Sequence, residues 1–319
     1  MVLEIVLIIV GIAVVLWGAD RFTDGACGLA RMLKVSEMVI GLTVVSLGTS
    51  LPEFIVSFMS VLHNSSNMSV GNILGSNIFN ILVIIGASAM MRYINVEQSL
   101  LRRDIPLCLV ASLLLFAFAV SEGTIQRWEG LAMVAFFCAY IFMNYRLAMR
   151  DRKEGQTSPQ PSDSSKSSLK GGTLWSSLGL ILVGMVALVA GGKVLVDNAA
   201  DFARDVGISE SVIGMTILAG GTSLPELATS VIAARKGSFG LALGNAIGSN
   251  IFNVAFVIGL CSSVVPMAVT EITPIDWAMF VGSVVLVWFV GWTARKFSRW
   301  EGVLLVLSYL SYLTWLIIR

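Results

Sequence analysis

The chain has 319 residues, of which 56% are apolar and only 13% charged, and its net charge is +1. A soluble domain carries about 25% charged residues. This composition cannot cover a large core with a charged surface, which excludes a soluble enzyme, a nucleic-acid binder and a disordered chain. The apolar residues fall in continuous runs close to the ~20 residues of a spanning helix, not in the alternating ~10-residue segments of a membrane barrel.

An all-α integral membrane protein is therefore expected. Ten apolar spans are read in chain order, at about 2–20, 37–62, 68–91, 104–121, 128–146, 174–193, 209–234, 239–267, 275–294 and 300–318. The chain opens Met-Val-Leu-Glu without a basic segment, so the first span is expected to remain as a helix and not to be removed as a signal peptide. Residues 151–172, DRKEGQTSPQPSDSSKSSLKGG, are rich in Ser, Gly, Pro and charge. They are expected to form a flexible linker between a first five-helix unit, 1–150, and a second, 173–319. Of the 21 Lys and Arg, 17 lie in the loops after spans 1, 3, 5, 7 and 9, and 4 lie elsewhere. The excess of positive charge on cytoplasmic loops then puts the linker in the cytoplasm and both termini outside, in the cell (inner or plasma) membrane.

Gly41–Asn80 and Gly214–Asn253 align without a gap at an offset of 173, with 18 identities in 40 residues. GTSLPE recurs at 48–53 and 221–226, and GSNIFN at 75–80 and 248–253. A fainter echo, RWEG, opens spans 5 and 10 at 127–130 and 299–302. With five spans in each unit, the second enters the membrane from the opposite side, so two inverted-topology repeats are expected. That is a recurrent design of secondary transporters, whose sites lie near the midplane where helices break.

GTSLPE sits in the middle of spans 2 and 7, which places Glu53 and Glu226 at mid-membrane depth. An ionisable group there is costly and points to function. Pro52 and Pro225 lack an N–H and clash with the carbonyls at Gly48 and Gly221, so each helix is expected to break. Thr49 and Ser50 share a helical face with Glu53, and Thr222 and Ser223 share one with Glu226. Ser76 and Asn80 are four apart, as are Ser249 and Asn253. Carboxylate, hydroxyl and amide oxygens without Cys or His make a hard-cation set of the kind Ca²⁺ takes, not a Zn²⁺ or Cu⁺ set. Asn77 and Asn250 point away from that face and are read as back-bonding residues or interhelical glue, and the glycines of Gly71–Gly75 and Gly244–Gly248 as close helix contacts. Cys27, Cys108, Cys138 and Cys261 are read as packing residues. His63, the only histidine, is placed in a loop.

These paired motifs resemble the two α-repeats of the sodium/calcium exchangers, within the cation/Ca²⁺ exchanger superfamily. The short linker is similar to that of prokaryotic members. The resemblance implies alternating access in which Na⁺ enters and Ca²⁺ leaves, with spans 2, 3, 7 and 8 as the core and spans 1 and 6 sliding across it. It implies that Glu53 and Glu226 bridge the Ca²⁺ and Na⁺ sites. Thr49, Ser50, Thr222 and Ser223, the carbonyls of Ser46 and Ala219, and Ser76, Ser249, Asn80 and Asn253 would complete the ligand set. The family often has Asp where this sequence has Asn253, which leaves two formal negative charges in the cluster. No enzymatic activity, resident cofactor, nucleic acid or obligate protein partner is implied, only Na⁺, Ca²⁺ and the lipid bilayer. The alternatives are a H⁺/Ca²⁺ antiporter, in which protons replace Na⁺ on the two glutamates, and a passive Ca²⁺ channel.

Overall fold

A computed structural model of the chain describes residues 2–91, 94–153, 173–207 and 219–318. The helices are α1 (Val2–Leu33), α2 (Glu37–Thr49), α3 (Leu51–Leu62), α4 (Ser66–Met91), α5 (Leu100–Glu122), α6 (Arg127–Lys153), α7 (Leu174–Asp205), the short turn α8 (Ala219–Gly221), α9 (Leu224–Arg235), α10 (Phe239–Val264), α11 (Pro274–Ala294) and α12 (Arg299–Ile318). Among the described residues, eight helices are long and apolar enough to cross a membrane, and the bent pair α2–α3 makes a ninth candidate. The expected span 209–234 is described only from Ala219 onward, as α8 and α9. Its earlier part and linker residues 154–172 lie outside the described residues.

Two expected spans run longer than the sequence indicated. α1 continues past residue 20 to Leu33, and α7 past residue 193 to Asp205. Polar residues mark where a span leaves the hydrocarbon layer, but they do not stop a helix. α1 ends where Lys34 takes a left-handed backbone, with φ 55°. Likewise, residues 151–153 of the expected linker are the end of α6.

α1 and α7 pack antiparallel along a glycine seam. A Cβ on Gly11 would meet Leu195 at 2.9 Å, and one on Gly184 would meet the Phe22 backbone nitrogen at 2.5 Å. Gly18 faces Ala187 and Leu188, while Gly191 faces Val14 and Val15. Each contact recurs with its partners 173 residues on, so the repeat spacing extends to these two helices and relates elements that run in opposite directions.

Contacts outside this seam show the same reciprocity. β1 (Ile94–Asn95) pairs antiparallel with β4 (Lys296–Phe297), and β2 (Thr124–Ile125) with β3 (Met267–Ala268). Gly130 abuts the carbonyl of Gly259, and Gly302 abuts that of Gly86. The Glu129 carboxylate caps the Gln126 N–H, and Glu301 caps the Ser298 N–H. The RWEG echo is therefore a helix-start device that also brings α6 against α10 and α12 against α4.

The main core gathers apolar side chains of α4, α5, α6, α10 and α11, including Ile73, Ile78, Ile81, Ile251, Ile258 and Phe280. A second cluster joins α1, α2, α7, α9 and α10 around Phe22, Val45 and Leu188. Large apolar residues such as Ile9, Trp128, Phe142, Phe289 and Leu307 are exposed on the outside. That is the pattern of helices that face hydrocarbon. Cys27, Cys108 and Cys261 are buried and free, as packing residues are, whereas Cys138 faces outward.

Candidate functional site

Both GTSLPE segments break their helix at the same residue and in the same way. Ser50 has φ −87° and ψ 10°, and Ser223 has φ −88° and ψ 6°. The proline then sits in the first turn of the following helix, where its missing N–H costs nothing. α2 and α3 are bent by 47° at this break. Gly48 and Gly221 do more than loosen the chain. A Cβ on Gly48 would crowd the Phe22 ring at 3.2 Å, and one on Gly221 would meet Val196 at 2.5 Å. The glycines therefore let α1 and α7 lie against the two breaks.

Glu53 and Glu226 occupy the first turns of α3 and α9 and are fully buried. Each is held by the other motif. Ser50 Oγ donates to Glu226 Oε1 at 2.7 Å, and Ser223 Oγ donates to Glu53 Oε1 at 3.1 Å. The second oxygen of each carboxylate, Oε2, is buried without a partner. Thr222 Oγ1, Ser76 Oγ, Ser249 Oγ, Asn253 Oδ1 and both amide atoms of Asn80 are buried and unpartnered as well. Buried polar atoms are ordinarily satisfied. Buried oxygens left without a partner, one on each carboxylate among them, are groups to which a cation can supply the missing partner. Among the described residues no group of three or more His, Cys, Asp or Glu gathers, so hydroxyl and amide oxygens must contribute to any ion site.

The remaining residues named from the sequence are placed as follows. Thr49 Oγ1 lies 3.1 Å from both the Val45 carbonyl and Asn245 Oδ1, so its single hydrogen is engaged within α2 or with α10. The Ser46 carbonyl accepts from the Ser50 N–H at 3.1 Å and lies 3.5 Å from Thr49 Oγ1. Ala219 opens the short turn α8. Gly244 and Gly248 press on Gly41 and Leu42, as close-contact glycines should, whereas among the described residues Gly71 meets only the tip of Ile272 at 4.0 Å and Gly75 meets nothing within 4 Å. The repeat counterparts of that stretch of α2 fall at 214–218, outside the described residues.

Asparagines that sequence reasoning left aside also join this network. Asn245 Nδ2 reaches the Glu226 carbonyl at 3.3 Å and Ser230 Oγ at 2.9 Å. Its counterpart Asn72 reaches Ser57 Oγ at 3.1 Å. Asn77 and Asn250 tie α4 to α10 reciprocally: Asn77 Nδ2 donates to the Asn250 carbonyl at 3.2 Å, and Asn250 Nδ2 to the Asn77 carbonyl at 3.1 Å. The glue reading of this pair is correct. The signal for Asn245 was present in the recurrence of Gly-Asn at 71–72 and 244–245.

Residues 3–146 and 176–318 match the family model described as sodium/calcium exchanger protein. The chain belongs to the sodium/calcium exchanger family. It is 33% identical to the sodium/calcium exchanger MaX1 of Methanosarcina acetivorans, over 96% of each chain. It is 35% identical to the inner membrane protein YrbG of Escherichia coli, over 99% of this chain and 98% of that one. Its fold superposes on the solved structure of the sodium-calcium exchanger NCX_Mj soaked with Na⁺ and Ca²⁺, with a TM-score of 0.82, 29% identity and 98% of both chains covered. The exchanger is thus a multi-span membrane protein of a cation/Ca²⁺ antiporter family, and its buried carboxylate cluster lies where its two repeated motifs meet.

Proposed function

We propose that the protein is a secondary antiporter that exchanges Na⁺ for Ca²⁺ across the cell membrane by alternating access. The observation that carries this reading is the crossed pair of carboxylates. Ser50 holds Glu226 and Ser223 holds Glu53, while the second oxygen of each buried carboxylate is unpartnered. Two negative charges neutralise one Ca²⁺ or two Na⁺, so the two cargoes compete for one cluster. Thr49, Ser50, Thr222, Ser223, Ser76, Ser249, Asn80 and Asn253, with the Ser46 and Ala219 carbonyls, supply the neutral ligands. A proton carrier needs the carboxylates alone. The neutral oxygens around them are what Na⁺ requires, and they favour Na⁺ coupling over H⁺ coupling.

The architecture that goes with this function is ten spans in two inverted units, 1–150 and 173–319, joined by a cytoplasmic linker, with both termini outside. Supporting it are the antiparallel packing of α1 on α7 and the reciprocal β1–β4 and β2–β3 pairs. The protein acts without enzymatic chemistry or a resident cofactor, and its ligands are the two transported ions. A single closed cluster built by one chain suits a transporter better than a pore, where rings of ligands line an open path.

The test is ⁴⁵Ca²⁺ uptake into proteoliposomes loaded with Na⁺ and diluted into Na⁺-free buffer, with K⁺-loaded and pH-gradient vesicles in parallel. Uptake that requires internal Na⁺ is expected. Uptake that ignores Na⁺ and follows the proton gradient would select H⁺ coupling. Flux that never runs uphill under either gradient would select a channel.

A further inference from the structure

Asn77 ties α4 to α10, and its side chain makes a second bond that this cross-link does not need. Its Oδ1 accepts from Asn253 Nδ2 at 3.1 Å. Both side chains are buried. The orientation of this chain of bonds is fixed at one end. Asn77 faces the backbone carbonyl of Asn250 at 3.2 Å, and a carbonyl can only accept, so Asn77 must turn its Nδ2 there. Its Oδ1 is then the atom that faces Asn253, and an acceptor calls for a donor. Asn253 therefore presents Nδ2 to Asn77. Its Oδ1, buried and unpartnered, is left as the atom free to meet an ion. The counterpart on the other side is not clamped: Asn80 has neither amide atom bonded, and Asn250 Oδ1 has no partner.

We propose that Asn77 is a positioning residue that locks the Asn253 amide with its oxygen available to the ion, and so fixes position 253 as a neutral ligand. This rests on the reading that Asn253 belongs to the cation cluster. A carboxylate at 253 would set an acceptor against the Asn77 oxygen, and Asn77 could turn only by giving up its bond to α10. The charge of the cluster is thus set by residues 77 and 253 together.

The test is equilibrium ⁴⁵Ca²⁺ binding to the purified full chain in Na⁺-free detergent solution. Losing the residue that orients a metal ligand typically weakens affinity about 10- to 100-fold, and Asn77→Leu should fall in that range. Asn253→Asp alone should also weaken binding, because its carboxylate meets an acceptor. In the double variant the conflict is gone, and binding should be tighter than in either single variant. Asn250→Leu removes the reciprocal cross-link without touching the Asn77–Asn253 bond. It should lower the melting temperature while leaving Ca²⁺ affinity within about two-fold, since it orients no ligand. A merely structural role for Asn77 predicts additive losses in the double variant and equal effects of Asn77→Leu and Asn250→Leu; either result overturns the proposal. If Asn77→Leu does not fold, Asn77→Ala removes the same bonds without the bulk and takes its place. If Glu53→Gln or Asn253→Ala leaves binding intact, the site reading itself has failed. If those variants lose binding and Asn77→Leu does not, only the role of Asn77 is wrong.

Discussion

Glu53 and Glu226 each keep one oxygen on a serine from the opposite motif and one oxygen free. Replacing either carboxylate with an amide removes half of the charge that a Ca²⁺ ion needs for neutralisation. Saturable ⁴⁵Ca²⁺ binding should therefore be lost in Glu53→Gln and in Glu226→Gln, and an unchanged isotherm in either would contradict the assignment. In the proposed site the serines act through the carboxylates they hold as well as by their own oxygens. Ser50→Ala and Ser223→Ala should weaken Ca²⁺ binding by about 10-fold, the lower end expected when a ligand loses its orienting hydrogen bond. The two losses should be alike because the two contacts are reciprocal. At this scale the sequence was informative where residues recur. Thr-Ser before Pro-Glu, repeated at one offset, located both carboxylates and their hydroxyls. It was silent on cross-links that join the motifs, because partners such as Asn245 and Thr49 are 196 residues apart. Only the folded chain shows that Asn77 faces both Asn250 and Asn253.

At the scale of elements, the broken helices and the glycine seam decide how closely the parts approach. The break was legible from proline and glycine, since a missing N–H is a property of the residue itself. Helix length was less legible. Charged residues such as Asp20, Arg21 and Asp24 read as the end of the first span, but α1 runs on to Leu33. The Gly184 position offers a sharp test of the seam. A Cβ there would lie 2.5 Å from the Phe22 backbone nitrogen, which cannot swing aside as a side-chain tip can. Gly184→Ala should destabilise the protein by about 1–3 kcal/mol, as overpacking does, and lower the melting temperature measured in detergent. Gly179 lies on the same helix with nothing within 4 Å, so Gly179→Ala should leave the melting temperature unchanged or slightly higher. Equal effects of the two substitutions would refute the close α1–α7 contact.

At the scale of the whole molecule, charge ties α1 to the turn between α9 and α10. Lys236, in the turn between α9 and α10, lies 2.7 Å from both Asp20 and Asp24 on α1. At positions 173 residues earlier or later, the counterparts are His63, Lys193 and Asp197, and there Lys193 pairs with Asp197 within α7 at 3.0 Å. If α1 moves against the core during exchange, the Lys236 clamp opens once per cycle. A partly exposed pair contributes about 0.2–1 kcal/mol, so Lys236→Met should raise the maximal exchange rate by up to about five-fold while Ca²⁺ affinity stays unchanged. Initial rates in proteoliposomes decide the matter, and a fall or no change would show that the clamp does not oppose the motion. The multi-span helical character of the chain was legible from hydropathy. The clamp was not, because its two sides are not alike in sequence.

In the proposed mechanism, one cluster built by Glu53 and Glu226 serves both ions in turn. The most direct measurement is ⁴⁵Ca²⁺ bound to the purified chain as Na⁺ is raised at constant ionic strength and pH. The expected result is one Ca²⁺ per chain, displaced competitively by Na⁺ but not by K⁺, and absent in the Glu53→Gln, Glu226→Gln double variant. Ca²⁺ that stays bound at high Na⁺, or that persists in the double variant, would contradict it.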